Sequence, residues 1–151
     1  MKKFNISDDI LDFAIEGEIE AYKFYTGLAT KMDNPEMKKV FLDFAAEEQG
    51  HKKQLEDVKK GKVFKVSSEK VADLKIAEFT VDVQPTKNME YKDALVLAMK
   101  KEKKAFQLYT TLANLVEEVT AKQLFESLAQ QEAKHKLRFE LEYDEIVLKE
   151  D

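Results

Sequence analysis

The chain contains an internal repeat that spans most of its length. A single ungapped shift of 84 residues lays residues 14–29 on residues 98–113, where seven of the sixteen positions are identical. The same shift also lays residues 41–55 on residues 125–139. Because one shift aligns two separate segments on each side, the sequence predicts two similar structural units joined by a connection.

Each unit carries two long helical patterns, in which apolar residues recur every three or four positions. The composition agrees, because 44% hydrophobic and 36% charged residues with four Gly and two Pro favour long amphipathic helices. Ser7, Asn34 with Pro35, and Gly61 are typical boundary residues. We expect helices from about Asp8 to Met32, from Pro35 to about Lys60, from about Glu90 onward, and from between Glu117 and Thr120 to about Tyr143.

Residues 62–88 separate the two units and show no long helical pattern. They include β-branched residues, a Ser-Ser pair and a Pro, and a short helix from about Ser68 to Leu74 is compatible with them. The segment is too short to build its own core, so we expect a crossover connection. The sequence therefore predicts a single all-α domain over residues 1–151, a four-helix bundle of two helical hairpins joined by a long crossover.

The composition excludes several classes of function. The absence of Cys excludes disulfides, thiolate nucleophiles, Cys-ligated zinc and iron–sulfur clusters. The net charge of −5, with no basic cluster interleaved with aromatic residues, gives no reason to expect nucleic acid as a partner. The sequence shows neither a signal-peptide apolar region nor an apolar run of transmembrane length. We therefore expect a cytoplasmic protein without a membrane partner.

Polar residues interrupt all four apolar stripes near the middle of the predicted helices. In the second and fourth helices a Glu precedes a His by three positions, and this spacing places both side chains on one helix face. Packing the four stripes together would bring four carboxylates and two imidazoles into one core. These residues are Glu18, Glu48, His51, Glu102, Glu132 and His135.

A core that holds four carboxylates requires compensating charge. Each isolated buried ion costs several kcal/mol, and no Lys or Arg is expected on these stripes at that level. Two divalent cations would cancel four negative charges, and a ligand set of oxygen and imidazole suits iron or manganese. A single Glu-x-x-His is usually a solvated pair, and Tyr25 and Tyr109 can be plain core aromatics or hydrogen-bond partners of the site. The matched set of six residues nevertheless predicts a two-metal centre.

The motifs resemble the ferritin-like di-iron carboxylate proteins, and most of all the rubrerythrins. The matching text is GEIEAYKFYTGLA around Glu18, VFLDFAAEEQGH ending at His51, EKKAFQLY from Glu102, and LFESLAQQEAKH ending at His135. The resemblance implies a ferritin-like bundle that holds two Fe ions, with Mn or Zn as other occupants.

The resemblance also implies a role for each residue of the site. One metal would be held by Glu18 and His51, and the other by Glu102 and His135. The resemblance further implies two bridging carboxylates and a residue before each that orients the His of the opposite hairpin. The bridging residues would be Glu48 and Glu132, and the orienting residues would be Glu47 and Gln131.

Two departures from the rubrerythrin pattern affect the expected function. Rubrerythrins typically carry a rubredoxin-like domain that feeds electrons to the metals, whereas this sequence has no Cys. Rubrerythrins also typically carry an extra Glu one turn after the third helix's ligand. The corresponding residue here is Ala105, which matches Ala21 in the first repeat and makes the site symmetric, as in bacterioferritins.

The function implied by the resemblance is that of an oxidoreductase active against oxidative stress. It would reduce hydrogen peroxide, or dioxygen, with electrons from an external donor such as a rubredoxin-like protein. One alternative is a ferroxidase or iron-storage protein, and another is a metal-free helical bundle used for interaction. We expect a homodimer or another small homo-oligomer.

Overall fold

The computed structural model of the protein describes residues 8–61, 90–117 and 119–150. Within these ranges the regular structure consists of four helices, so the predicted all-α four-helix bundle is confirmed. The predicted crossover, its short helix and the Ser7 cap lie outside the described residues. The helices are α1 (Asp8–Thr30), α2 (Pro35–Lys59), α3 (Tyr91–Leu115) and α4 (Val119–Glu150).

The boundaries of α2 follow from its own sequence. The side-chain oxygen of Asn34 accepts hydrogen bonds from the backbone N–H groups of Glu36 at 2.8 Å and Met37 at 3.4 Å. Pro35 occupies the first helical position, where no N–H is needed. Gly61 follows the helix with φ of 84°, a left-handed conformation that Gly adopts at little cost. The predicted cap and stop of this helix are both confirmed.

The predicted end of α4 near Tyr143 is wrong, because the helix continues to Glu150. The last residues of the chain contain no Gly or Pro that would end the helix. Tyr143 and Ile146 also pack against the apolar core and so give the last turns something to bury. Tertiary contact therefore extends this helix beyond the point where its regular apolar pattern fades.

The helices of each hairpin pack closely along their lengths, α1 against α2 and α3 against α4, and α1 also approaches α3. The apolar core divides into two clusters, each with buried side chains from all four helices. The Phe41 cluster includes Tyr25, Leu28, Phe41, Phe44, Tyr91, Leu95 and Phe139. The Phe125 cluster includes Leu11, Ala14, Leu55, Tyr109, Leu112, Leu124, Phe125 and Leu128.

Burying each large apolar side chain contributes roughly 1.5–3 kcal/mol, so the two clusters hold the hairpins together. Aromatic rings pack against one another across the bundle in the Phe41 cluster, where the centroids of Phe44 and Phe139 are 4.1 Å apart. The two apolar clusters therefore frame a polar middle layer from either side.

No helix in the described part of the chain combines the length and the apolar character that a membrane span requires.

Candidate metal centre

The polar layer between the two apolar clusters consists of the six residues singled out in the sequence. The structure brings all of them together, and each is at most 5% exposed to solvent. α1 and α3 each contribute one carboxylate, and α2 and α4 each contribute a Glu and a His one turn apart. The residues are Glu18, Glu48, His51, Glu102, Glu132 and His135.

The six side chains form two overlapping groups, within each of which the ligand atoms lie within 4.8 Å of one another. Glu18 and His51 belong only to the first group, and Glu102 and His135 belong only to the second. Glu48 and Glu132 belong to both groups. This is the arrangement needed for two cations that share two carboxylates.

The distances show that each shared carboxylate approaches a His of the opposite hairpin. His51 Nδ1 is 2.8 Å from Glu132 Oε1, and His135 Nδ1 is 3.2 Å from Glu48 Oε1. The two imidazole rings lie parallel, with their centroids 5.7 Å apart. The Nδ1 atoms therefore point into the same small space as the carboxylate oxygens.

Every one of the six residues has at least one buried polar atom without a hydrogen-bond partner. These atoms include both Nδ1 atoms and both carboxylate oxygens of Glu132. The 2.8 Å approach of His51 Nδ1 to Glu132 lacks hydrogen-bond geometry, so closeness alone does not satisfy either atom. Buried polar atoms are normally paired, and a facing set of unpaired oxygen and nitrogen atoms fits bound cations. The donor set suits iron or manganese, although its role as a ligand set stays a prediction.

Two buried tyrosines contact Glu18 and Glu102 across the hairpins. These two are the terminal carboxylates, because each belongs to only one of the two groups. Tyr25 donates its hydroxyl hydrogen to Glu102 Oε1, and Tyr109 donates to Glu18 Oε1. Burial and then the charges of nearby carboxylates raise the pKa of both hydroxyls well above the usual value. Both groups therefore stay protonated and donate, which leaves the other oxygen of each carboxylate for a cation.

The outer nitrogens of the two histidines are also held. His51 Nε2 donates to Gln131 Oε1 at 2.7 Å, and His135 Nε2 lies 3.1 Å from Glu47 Oε2. Arg138 in turn contacts the Glu47 carboxylate at 3.4 and 3.5 Å. Because both Nε2 atoms face oxygen acceptors, the hydrogen of each neutral imidazole lies on Nε2, and Nδ1 can bind metal once it has lost any proton of its own. The sequence analysis missed Arg138, and its position one turn after His135 was the available signal.

Without metal, this centre retains protons. Burial and then the charge of Glu102 raise the pKa of Glu48 to about 8, and the same two causes raise the pKa of Glu132 well above its usual value. Burial lowers the pKa of His135, but contacts with Glu102, Glu47 and Glu48 outweigh it and raise the value to about 12. Burial also acts to raise the pKa of Glu102, yet its contacts with Glu132 and His135 lower it overall. Metal binding would therefore displace protons.

The expectation that no basic residue would be buried at this level is wrong. Lys136, the neighbour of His135, is 2% exposed and forms an ion pair with Glu140 one turn later. Lys136 lies one turn after Glu132 in α4, and its partner is another buried carboxylate. Glu140 therefore offsets the charge of Lys136 within the bundle.

A cavity of about 210 Å³ leads between α1 and α3 to the carboxylate side of the centre. Its walls include Glu18, Glu48, Glu102 and Glu132, so all four carboxylates border it. Small and apolar residues keep the passage open, namely Gly17, Ala21, Ala105 and Leu108. The sequence analysis did not identify this cavity, because it depends on how closely two helices from different hairpins approach.

Removing one tyrosine hydroxyl is expected to weaken the centre. Tyr109→Phe leaves Glu18 Oε1 without its donor, which should cost about 1–3 kcal/mol of unfolding free energy. The affinity for divalent cations should fall about 10-fold, as for other residues that orient metal ligands. Tyr22→Phe is the control, since Tyr22 packs beside the Phe41 cluster and makes no described hydrogen bond to the six residues. Urea unfolding and Mn²⁺ titration of both variants test this, and equal losses would contradict it.

Comparison with known proteins agrees with this geometry. A hypothetical protein from Pyrococcus furiosus shares 28% identity with a TM-score of 0.65, over 89% of this chain and 86% of that chain. A protein from Thermotoga maritima, described as a ferritin-like diiron-carboxylate protein, shares 25% identity with a TM-score of 0.67, over 96% of this chain and 98% of that chain. No curated protein matches the chain.

The family comparison covers both hairpins. The sequence model of the rubrerythrin family matches residues 9–143, which include all six residues of the centre. The ferritin-like fold implied by the motifs is thereby confirmed, together with a buried carboxylate and imidazole cluster of the kind expected in this class. The chain belongs to the rubrerythrin family of ferritin-like di-iron carboxylate proteins.

Proposed function

We propose that the protein is a non-haem di-iron oxidoreductase that reduces hydrogen peroxide, or dioxygen, with electrons from a separate donor protein such as a rubredoxin-like protein. One observation carries this proposal: unpaired, buried polar atoms from six residues converge, and the four carboxylates among them line a cavity. A helical bundle used only for interaction would have no reason to bury four carboxylates at a cost of several kcal/mol each.

The residues present fit two iron ions. Glu18 with His51 and Glu102 with His135 would each hold one ion, and Glu48 and Glu132 would lie between the two. Manganese or zinc can occupy the same ligands. Bound iron would supply electrons and Lewis acidity to the O–O bond of the oxidant.

The chain's own residues prepare the site for such a reaction. The cavity between α1 and α3 admits a molecule larger than peroxide, and the two apolar clusters close the bundle on either side of the polar layer. Tyr25 and Tyr109 hold the terminal carboxylates in place through their hydroxyl groups. Ligands that are fixed in this way need little reorganisation when a small oxidant enters.

A second candidate, ferroxidase or iron-handling activity, is favoured by one specific observation. Ala105 lines the cavity where rubrerythrins typically carry an additional Glu, and Ala21 lines the same cavity at the equivalent position of the first repeat. The two halves of the centre therefore lack the extra carboxylate that would distinguish them. In this reading Fe²⁺ is the substrate, and dioxygen or peroxide oxidises it.

Anaerobic loading with Fe²⁺ followed by oxidant distinguishes the two functions. We expect two Fe²⁺ per chain, roughly 3.5–4 Å apart. A peroxidase should turn over repeatedly with peroxide and an external reductant, with little further iron uptake. A ferroxidase should instead consume added Fe²⁺ in proportion to oxidant. Binding of fewer than two ions by the native chain, or the absence of oxidation by either oxidant, would contradict the proposal.

The assembly and location of the protein belong to the same proposal. We propose a cytoplasmic homodimer or other small homo-oligomer, with no nucleic-acid or membrane partner. Gel filtration separates this state from the large cage that an iron-storing ferritin forms. Elution as a cage would favour the iron-handling function.

Restoring the missing carboxylate is expected to lower the reduction potential of the centre. Ala105→Glu adds a negative charge one turn from Glu102, and the side chain can enter the cavity that Ala105 lines. The charge stabilises the oxidised metals, and an interaction of about 1.4–2.8 kcal/mol corresponds to a fall of roughly 30–60 mV for a two-electron couple. Lys104→Gln, which changes the charge by the same one unit on the rim of the same cavity, is the control for a change in surface charge. Redox titration of the loaded variants tests this, and an unchanged or higher potential in Ala105→Glu would contradict it.

A further inference from the structure

We propose that the two metal positions of this centre are inequivalent, and that Glu47 and Gln131 act as positioning residues that set the difference. The position beside His135 binds a divalent cation more tightly than the position beside His51. This inference rests on the two-metal centre of the proposed function, but it does not depend on which reaction the centre performs.

The inner residues of the centre provide no basis for such a difference. The shift of 84 residues that aligns the repeats also pairs every inner residue with one of its own kind. The hydroxyl contacts are equivalent as well, because each Tyr donates to the terminal carboxylate of the opposite hairpin. The equivalent pairs are Glu18 and Glu102, Glu48 and Glu132, His51 and His135, and Tyr25 and Tyr109.

The symmetry breaks at the residues that hold the outer nitrogens of the histidines. The partner of His135 Nε2 is the Glu47 carboxylate at 3.1 Å, whereas the partner of His51 Nε2 is the Gln131 amide oxygen at 2.7 Å. The orientation of the amide is set by its own nitrogen, which donates to Ser127 Oγ at 3.4 Å. One His is therefore held by a charged acceptor and the other by a neutral acceptor.

A carboxylate draws the Nε2 hydrogen more strongly than an amide, because hydrogen bonds to ionised acceptors are roughly twice as strong as neutral ones. The imidazole then has more electron density at Nδ1 and binds a cation better. The shorter bond to Gln131 does not reverse this effect, since an amide has no net charge. Partners of this kind typically change metal affinity by about 10–100-fold.

Arg138 does not cancel the charge of Glu47. Its contacts with the carboxylate, at 3.4 and 3.5 Å, are longer than the 3.1 Å contact from His135. The Arg138 and Glu47 side chains are 56% and 43% exposed, so water weakens the attraction between them. The guanidinium group also lies over the ring of Phe44, 4.5 Å from its centroid, and keeps Glu47 in place beside His135.

Zinc titration followed by NMR of the imidazole nitrogens tests the inference directly, because the chain has only two histidines. Zn²⁺ is redox-inert, so the readout is binding and not activity. With one equivalent of Zn²⁺ we expect the Nδ1 signal of His135 to move well before that of His51, with an affinity ratio of about 10-fold or more. The double variant Glu47→Gln with Gln131→Glu exchanges the two partners without changing side-chain size, and it should reverse the order.

Single variants and a matched control complete the test. Glu47→Gln alone should weaken the first binding step about 10-fold, and it decides the question if the double variant does not fold. Gln54→Glu is the control, because Gln54 borders the same surface cavity as both histidines and would add charge without a described hydrogen bond to either ring. It should leave the order unchanged.

The outcomes separate this inference from the proposed function. If neither ring responds to Zn²⁺, the metal centre itself is refuted, and both proposals fall. If the Nδ1 signals of both rings shift at the same Zn²⁺ concentration, or the order of binding is unchanged by the exchange at positions 47 and 131, only the inequivalence is overturned. It is also overturned if Gln54→Glu reverses the order as effectively as the exchange does.

Discussion

Glu132→Gln is expected to make the metal-free protein more stable while it abolishes the two-metal centre. Glu132 is fully buried, and both of its oxygens lack hydrogen-bond partners. Burial and the charges of Glu102 and Glu48 raise its pKa well above the usual value. Keeping this carboxyl group in the core therefore lowers the stability of the metal-free protein. A neutral amide relieves that cost, and the free energy of unfolding should rise by about 1–3 kcal/mol at pH 7.5.

The same substitution removes a carboxylate that belongs to both groups of candidate metal ligands. Chemical denaturation of the metal-free variant and a Mn²⁺ titration measure the two effects on one sample. Glu126→Gln is the matched control, because Glu126 lies on the same helix and is exposed, so its replacement should change neither quantity. A Glu132→Gln protein that is less stable than the parent without metal, or that still binds two ions, would contradict this account of the site.

Metal loading is expected to stabilise the protein much more at pH 7.5 than at pH 5. In the metal-free protein the pKa of Glu48 rises from an ordinary 4.5 to about 8, and that of His135 from 6.5 to about 12. Both raised values mean that the folded state binds more protons than the unfolded chain. Their contribution to stability is present at low pH and is lost as the pH rises, from about 4.5 to 8 for Glu48 and from about 6.5 to 12 for His135.

Bound metal has the opposite pH dependence, because it requires ionised carboxylates and a neutral Nδ1, and protons compete with it. At a free concentration 100-fold above the dissociation constant, Mn²⁺ should add about 2.7 kcal/mol at pH 7.5. This corresponds to a rise in melting temperature of roughly 5–10 °C for a domain of this size. Thermal scans with and without Mn²⁺ at both pH values measure the effect, with Glu132→Gln as the control that should gain little. An equal gain at pH 5 and pH 7.5 would show that protons and metal do not compete.

The local sequence was sufficient to predict the helices and the level of the polar layer. A helix places residues three or four positions apart on one face, so the spacing of Glu48 and His51 predicted their common direction without tertiary information. Capping is equally local, and for that reason Asn34, Pro35 and Gly61 marked the ends of α2 correctly. The repeat added the relation between the hairpins, because similar sequences fold into similar units.

Contacts between residues far apart in the chain could be decided only by the tertiary structure. Tyr25 meets Glu102, and Arg138 meets Glu47, only because two hairpins face each other at a particular rotation and depth. The continuation of α4 beyond Tyr143 depends on the apolar surface that receives its last turns. Helical spacing allows Lys136 to pair with Glu140, but only the folded bundle determines that this ion pair is buried.

The cavity between α1 and α3 and the unequal partners of the two histidines have the same origin. The sequence by itself determined which side chains are available, since helical periodicity and the repeat are properties of neighbouring residues. It could not determine how closely the hairpins approach, because that distance results from the packing of both apolar clusters at once. The tertiary structure therefore decided which oxygen faces which nitrogen, and with it the electrostatics of the proposed metal centre.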